Sequence, residues 1–121
     1  MQREFAGKQA YLSGLAAEAA VARHYGRDGR RIAAQRWRGR GGEIDLIVRD
    51  GEKVIFVEVK SSRSHDRAAL ALSRRQLWRI QQAGEEFLGH EPRGRATPCR
   101  VDLALVDGQG RIEVIENISM M

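Results

Sequence analysis

A single cysteine, three lysines and no apolar run of bilayer length set the first limits on this chain of 121 residues. Cys99 cannot close an internal disulfide and has no CxxC or Cys/His cluster around it, which argues against a zinc site and for a reducing cytoplasm. The opening MQREFAGKQAYLSG lacks the continuous apolar segment of a secretion signal, and no stretch approaches the ~18 apolar residues that span a bilayer. Neither export nor a membrane partner is therefore expected. His24, His65 and His90 are scattered without metal-ligand spacing and read as surface histidines. There is no internal repeat and no low-complexity tract.

What is present is enough for one compact core. Hydrophobic residues make up 42% of the chain, and a single domain over residues 1–121, loosely ordered over about residues 1–12, is expected. Basic residues outnumber acidic ones, 21 to 16, for a net charge of +5 and a pI near 10.1, a balance that suits a polyanionic partner. Eighteen of the basic residues are arginine, a bias that codon composition alone can produce, so charge by itself says little. The scarcity of lysine says more. With only Lys8, Lys53 and Lys60 available, a lysine two residues after a strand glutamate stands out from the composition.

The pattern along the chain predicts an α/β order of helix, three strands, helix, two strands. Ser13 reads as the cap of a helix over residues 13–25 with an apolar stripe of Leu15, Ala19, Ala22 and Tyr25, ended by Gly26, and Glu18 falls on or beside that stripe. Residues 31–37 form a weak strand candidate, and the basic RGRGG segment leads into a hairpin. Residues 61–72 read as a loop holding Ser61, Ser62, Arg63, Ser64 and His65. Ser73 and Gln76 form a capping box for a second helix with Leu77, Ile80, Gly84, Phe87 and Leu88 on its apolar face, terminated by Gly89 and Pro92. Strands over residues 100–106 and 111–118 follow, joined by the Asp107-Gly108-Gln109-Gly110 turn.

The hairpin carries the chemistry. Residues 42–60, GEIDLIVRDGEKVIFVEVK, hold two apolar runs, each with one carboxylate where a core residue is expected. Side chains alternate along a strand, so Val54, Phe56, Glu58 and Lys60 share a face. A two-residue Gly51-Glu52 loop sets Asp45 opposite Glu58, with Cβ atoms about 5 Å apart, whereas an Asp50-Gly51 turn makes them diagonal neighbours at roughly 7 Å. Two carboxylates in an apolar setting repel unless a cation sits between them, and oxygen-only ligation selects Mg²⁺ or Mn²⁺. Asp45 and Glu58 are the candidate ligands, with the Val59 carbonyl as a third and Glu18 approaching from the helix directly or through water. Lys60 would stand beside the nucleophile or the scissile phosphate.

An acid on one strand, E-x-K on the next and a helix bearing a glutamate resemble the PD-(D/E)xK nuclease superfamily, archaeal Holliday-junction resolvases in particular. GEIDLI, FVEVK, Arg100 with Asp102, and the ending IENIS resemble the YraN-like family of uncharacterised bacterial proteins over about residues 18–120. E-x-K alone is a weak signal, while GEIDLI and FVEVK together are specific. The resemblance implies a restriction-endonuclease-like core, a central mixed five-stranded sheet flanked by helices, with Glu18, Asp45, Glu58 and Lys60 at its active edge. Ile44 replaces the superfamily proline, Arg75 stands where the family usually has a lysine, and Val101 replaces a phenylalanine. Arginine keeps phosphate affinity but cannot shuttle a proton.

The expected activity is metal-dependent hydrolysis of DNA phosphodiesters, at branched or other non-duplex DNA. Arg38, Arg40, Arg63, Arg75 and Arg79 are the candidate phosphate contacts, and Trp37 and Trp78 are candidates for base stacking or core packing. Arg100 and Asp102 read as a structural bridge. The rival readings are a nuclease scaffold that binds nucleic acid without turnover, and a protein-interaction domain. Resolvase-like relatives are often dimers, with Leu70, Leu72 and Trp78 the candidate interface residues here.

Overall fold

The computed structural model describes residues 2–61 and 72–118, with side chains from residue 14 onward. The element order is α1 (Gln2–Gly26), β1 (Arg31–Arg38), β2 (Glu43–Asp50), β3 (Lys53–Ser61), α2 (Arg74–Leu88), a 3₁₀ turn (Gly94–Ala96), β4 (Cys99–Val106) and β5 (Ile112–Ile115). The five strands form one sheet in the order β1-β2-β3-β4-β5. β3 and β4 run parallel and every other neighbouring pair is antiparallel. The predicted mixed five-stranded α/β architecture is present, and it is consistent with a restriction-endonuclease-like fold. Ser62, Arg63, Ser64, His65 and Leu70 lie outside the described residues.

The central strands read as nearly unbroken apolar runs because both faces of the sheet are covered. Ala17, Val21 and Tyr25 of α1 pack on one face against Leu46, Val48, Ile55, Val57, Ala104 and Val106. Ile80, Ala83 and Leu88 of α2 pack on the other against Ile47, Val54, Phe56, Val101, Leu103 and Leu105. Gly84 permits the close approach of α2, since a Cβ there would meet the Phe56 ring at 2.9 Å. The capping box is present as read: Ser73 Oγ accepts from Gln76 N–H and Gln76 Oε1 accepts from Ser73 N–H, both at 3.1 Å.

Three readings need correction. α1 begins at Gln2 rather than after a cap at Ser13; the stretch before Ser13 holds Gln, Glu, Lys and Ala and contains no proline to break a helix. The buried stripe of α1 is Ala17, Val21 and Tyr25, and Ala19 is exposed, because alanine on every side of a helix gives little sign of which side faces inward. β5 is shorter than read. Arg111 is held back in the turn by Asp107, its N–H donating to Oδ1 at 2.8 Å, and Asn117 leaves the extended conformation at φ 57°.

Candidate active site

The β2–β3 hairpin fixes the position of both acids. Its ladder pairs Asp50 with Lys53 and Leu46 with Val57, the register of the two-residue Gly51-Glu52 loop, in which Gly51 supplies the positive φ of 62°. One further step along this register sets Asp45 opposite Glu58. Both share the α2-covered face with Ile47 and Phe56, because strand side chains alternate. Beyond Leu46 and Val57 the Asp45 carboxylate serves where a backbone acceptor would: the Val59 N–H donates to Asp45 Oδ2 at 2.8 Å. The carbonyl of a strand residue points to the same side as its N–H, so that of Val59 also faces β2.

The Asp45 and Glu58 carboxyl groups line one cleft, where the charge of Asp45 acts on Glu58. Lys60 Nζ lies 3.5 Å from Glu58 Oε1. The electrostatic consequence is large. Burial first, and the Asp45 charge second, push the Glu58 carboxyl up to about 8 from its ordinary 4.5, with Lys60 pulling it back down. Asp45 is also raised, by burial, against the opposing hydrogen bond from Val59. Folded protein free of metal ions therefore holds a proton that the unfolded chain releases above pH 4.5. The stability tied to that proton is complete below 4.5 and drains away as the pH climbs to about 8.

A direct prediction follows for Glu58→Gln, which keeps the shape and removes the charge. In EDTA its melting temperature should exceed that of the wild type by several degrees at pH 8, on the order of 2 kcal/mol, and match it at pH 4. An equal gain at both pH values would mean that the strain at this position is not ionic.

Around the acids lies a cleft of about 390 Å³ lined by Glu18, Arg36, Gly42, Glu43, Asp45, Glu58, Gln76, Arg79 and Ile80. Glu18 thus reaches the cleft, but its Oε2 accepts from Arg36 Nε at 3.0 Å. Among the described residues no three acid, histidine or cysteine side chains come together as a ligand set. The carboxylate pair is the centre, and Glu18 lines the same cleft with its carboxylate taken up by Arg36.

The nominated arginines divide by position. Arg79 lines the cleft and Arg75 is exposed one helical turn before it. Arg38 is exposed and paired with Glu43 at 3.3 Å. Arg40 lines a second hollow of about 430 Å³ with Trp37, Arg38, Gly39, Glu86 and His90, and its backbone N–H donates to Glu86 Oε2 at 2.7 Å. Arg63 lies outside the described residues.

Three cleft residues were not singled out from the sequence. Arg36 sits in β1 level with Asp45, between the recorded pairs Gln35–Leu46 and Trp37–Ile44, and its φ of 51° is left-handed, a strained conformation for a residue with a side chain. In an arginine-rich chain nothing local distinguishes it. Gln76 was read only as a cap, and Glu43 only as part of the hairpin motif. Arg100 and Asp102 lie elsewhere, joined at 3.0 Å beneath α1, and form the expected structural bridge.

Comparison with known proteins agrees on one grouping. The model of "Uncharacterised protein family UPF0102" matches residues 17–106. A UPF0102 protein of Cereibacter sphaeroides is 60% identical over 111 residues, covering 92% of this chain and 95% of the relative. One from Ruegeria pomeroyi is 54% identical over 92% and 90% of the two chains, and one from Dinoroseobacter shibae 52% identical over 98% and 88%.

Proposed function

The chain belongs to the uncharacterised protein family UPF0102, and on the geometry of its paired acids we propose that it is a metal-dependent endonuclease acting on DNA phosphodiesters. The observation that carries this reading is the meeting of Asp45 and Glu58 on neighbouring strands, with Lys60 beside them, in a cleft also lined by arginine. Two mutually repelling acids held in one place are costly to the fold. A divalent cation between them turns that cost into a function.

The donor set fits Mg²⁺ or Mn²⁺. It is all oxygen and contributes two carboxylates, the number by which Mg²⁺ is commonly held while water and substrate phosphate fill its remaining positions. Asp45 and Glu58 would hold the ion, and the Val59 carbonyl faces the same side. When bound, such an ion supplies Lewis-acid polarisation and charge neutralisation at the phosphoryl group. The protein's own groups supply the rest. Val59 N–H holds one oxygen of the Asp45 carboxylate and leaves the other for the ion. Lys60 balances the second acid and offers an ammonium to orient the attacking water and to offset charge developing on phosphate oxygens. Glu18 acts through Arg36, holding that guanidinium at the cleft wall where it can meet a phosphate, and Arg79 meets one from the other wall.

A cleavage screen over single-stranded, duplex, flap and four-way DNA with Mg²⁺ or Mn²⁺ tests the reading. At least one substrate should be cut, and cutting should vanish in EDTA and in the Glu58→Ala and Lys60→Ala variants. Cleavage that persists equally in those variants would come from a contaminant. No cleavage at all, with DNA still bound, would leave a scaffold that binds without turnover.

A further inference from the structure

Trp78 is 58% exposed, and it is the one large hydrophobic side chain so exposed among the described residues. The other tryptophan behaves differently. Trp37 packs edge-on against Phe87 with ring centroids 5.6 Å apart, so it is committed to the core. Trp78 lies one helical turn beyond Arg74 and Arg75, and adjacent to Arg79, all exposed on the outer surface of α2.

These three arginines share the exposed surface of α2 with Trp78. Arg30, Arg36, Arg49 and Arg100 are each held by an acid, whereas no ion pair engages Arg74, Arg75 or Arg79 among the described residues. Arg74 and Arg75 also occupy the first turn of α2, which contains no acid, and there the helix dipole already presents its positive end. Positive charge beside an exposed indole is the combination that takes a polyanion carrying flat, stackable groups, the charges meeting phosphates and the ring meeting a base. The surface is continuous with the cleft, because Arg79 and Gln76 line the cavity that holds Asp45 and Glu58.

We infer that this face of α2 is a stacking platform on which Trp78 takes an unpaired base while the arginines hold the flanking phosphates. The inference rests on the nuclease reading and narrows its substrate to nucleic acid with a single-stranded stretch beside the phosphate to be cut. A base inside a duplex has both faces covered by its neighbours and cannot lie on an indole; an unpaired base can, whatever its identity. A second copy of this chain fits the same surface poorly, since two-fold pairing about Trp78 would set the arginines against their own copies.

The test is a binding measurement in EDTA, where turnover plays no part. Anisotropy of a labelled oligothymidylate at low salt should show wild-type binding tighter than to a blunt duplex of equal length. Trp78→Ala should weaken oligothymidylate binding by roughly 10- to 100-fold and leave duplex binding unchanged, while Trp78→Phe should retain most of it. Because the side chain is exposed, neither variant disturbs the core. The inference is overturned if wild type does not bind the oligonucleotide, if Trp78→Ala binds it as wild type does, or if both ligands weaken equally. It is also overturned if size-exclusion shows a dimer that Trp78→Ala dissolves without loss of binding. Trp78-dependent binding without cleavage of any substrate would instead overturn the nuclease reading and leave the platform standing.

Discussion

Asp45→Asn is expected to slow Mg²⁺-dependent cleavage by roughly 100- to 1,000-fold while leaving the protein folded. The substitution separates two roles of one side chain. The amide oxygen can still accept the Val59 N–H that Asp45 Oδ2 now accepts at 2.8 Å, so the end of the hairpin keeps its closure. What disappears is the negative charge facing Glu58. With one carboxylate in place of two, the site should need a higher Mg²⁺ concentration for half-maximal rate, and the loss should appear in single-turnover measurements. Thermal melts supply the control, because removing one of two repelling acids should raise the melting temperature near pH 8 and lower it nowhere. A variant that cuts at the wild-type rate would mean that Asp45 serves only as a hydrogen-bond acceptor, and the catalytic proposal would fail with it.

The largest effect on stability is expected at Asp102, on the α1-covered face of the sheet and so on the other side from the paired acids. Its side chain is completely buried. Oδ2 accepts from the Tyr25 hydroxyl at 2.8 Å, Oδ1 from the Asn117 backbone N–H at 3.0 Å, and the Arg100 guanidinium donates to both oxygens. Arg100 in turn approaches Glu116 at 3.6 Å. One carboxylate thus ties α1, β4 and the segment after β5 together. Asp102→Ala leaves a buried hydroxyl, a backbone N–H and a largely buried guanidinium without their acceptor, a change that costs about 3 to 5 kcal/mol and on the order of 10 to 20 °C in melting temperature. Tyr25→Phe removes a single hydrogen bond and should cost about 1 kcal/mol. Equal effects of the two variants, measured by denaturant unfolding, would contradict the network. The arrangement also gives a physical reason for the Arg100, Asp102 and IENIS part of the family signature that needs no catalysis: Glu116 and Asn117 close onto the residues that anchor the first helix.

Much of this architecture is local in origin and was therefore legible. The alternation through residues 53–60, the capping box of Ser73 and Gln76, and the Asp107 to Gly110 turn each depend on residues a few positions apart. The site was legible for the same reason, since a short loop converts the spacing of Asp45 and Glu58 in the chain into opposition across two strands. The two possible loops differ by a two-residue slip that leaves every side chain on its face, and only the folded hairpin shows which is used: Val48 pairs with Ile55, where the other loop would set it opposite Lys53. Other features gave no local sign. Alanine all round α1 hid its buried face, and composition could not tell the arginines held by acids from those of α2, or the packed tryptophan from the exposed one.

Residue order by itself determined the strand and helix succession, the placing of two acids and a lysine on one face of a hairpin, and the family, because each is written in periodicity or in contiguous motifs. Only the tertiary structure decided that Glu18 meets Arg36, that Asp102 anchors the segment after β5, and that Trp78 stands in solvent beside arginines with no ion pair among the described residues. Those outcomes depend on which distant segments come to lie against each other, and burial and charge pairing are properties of that packing.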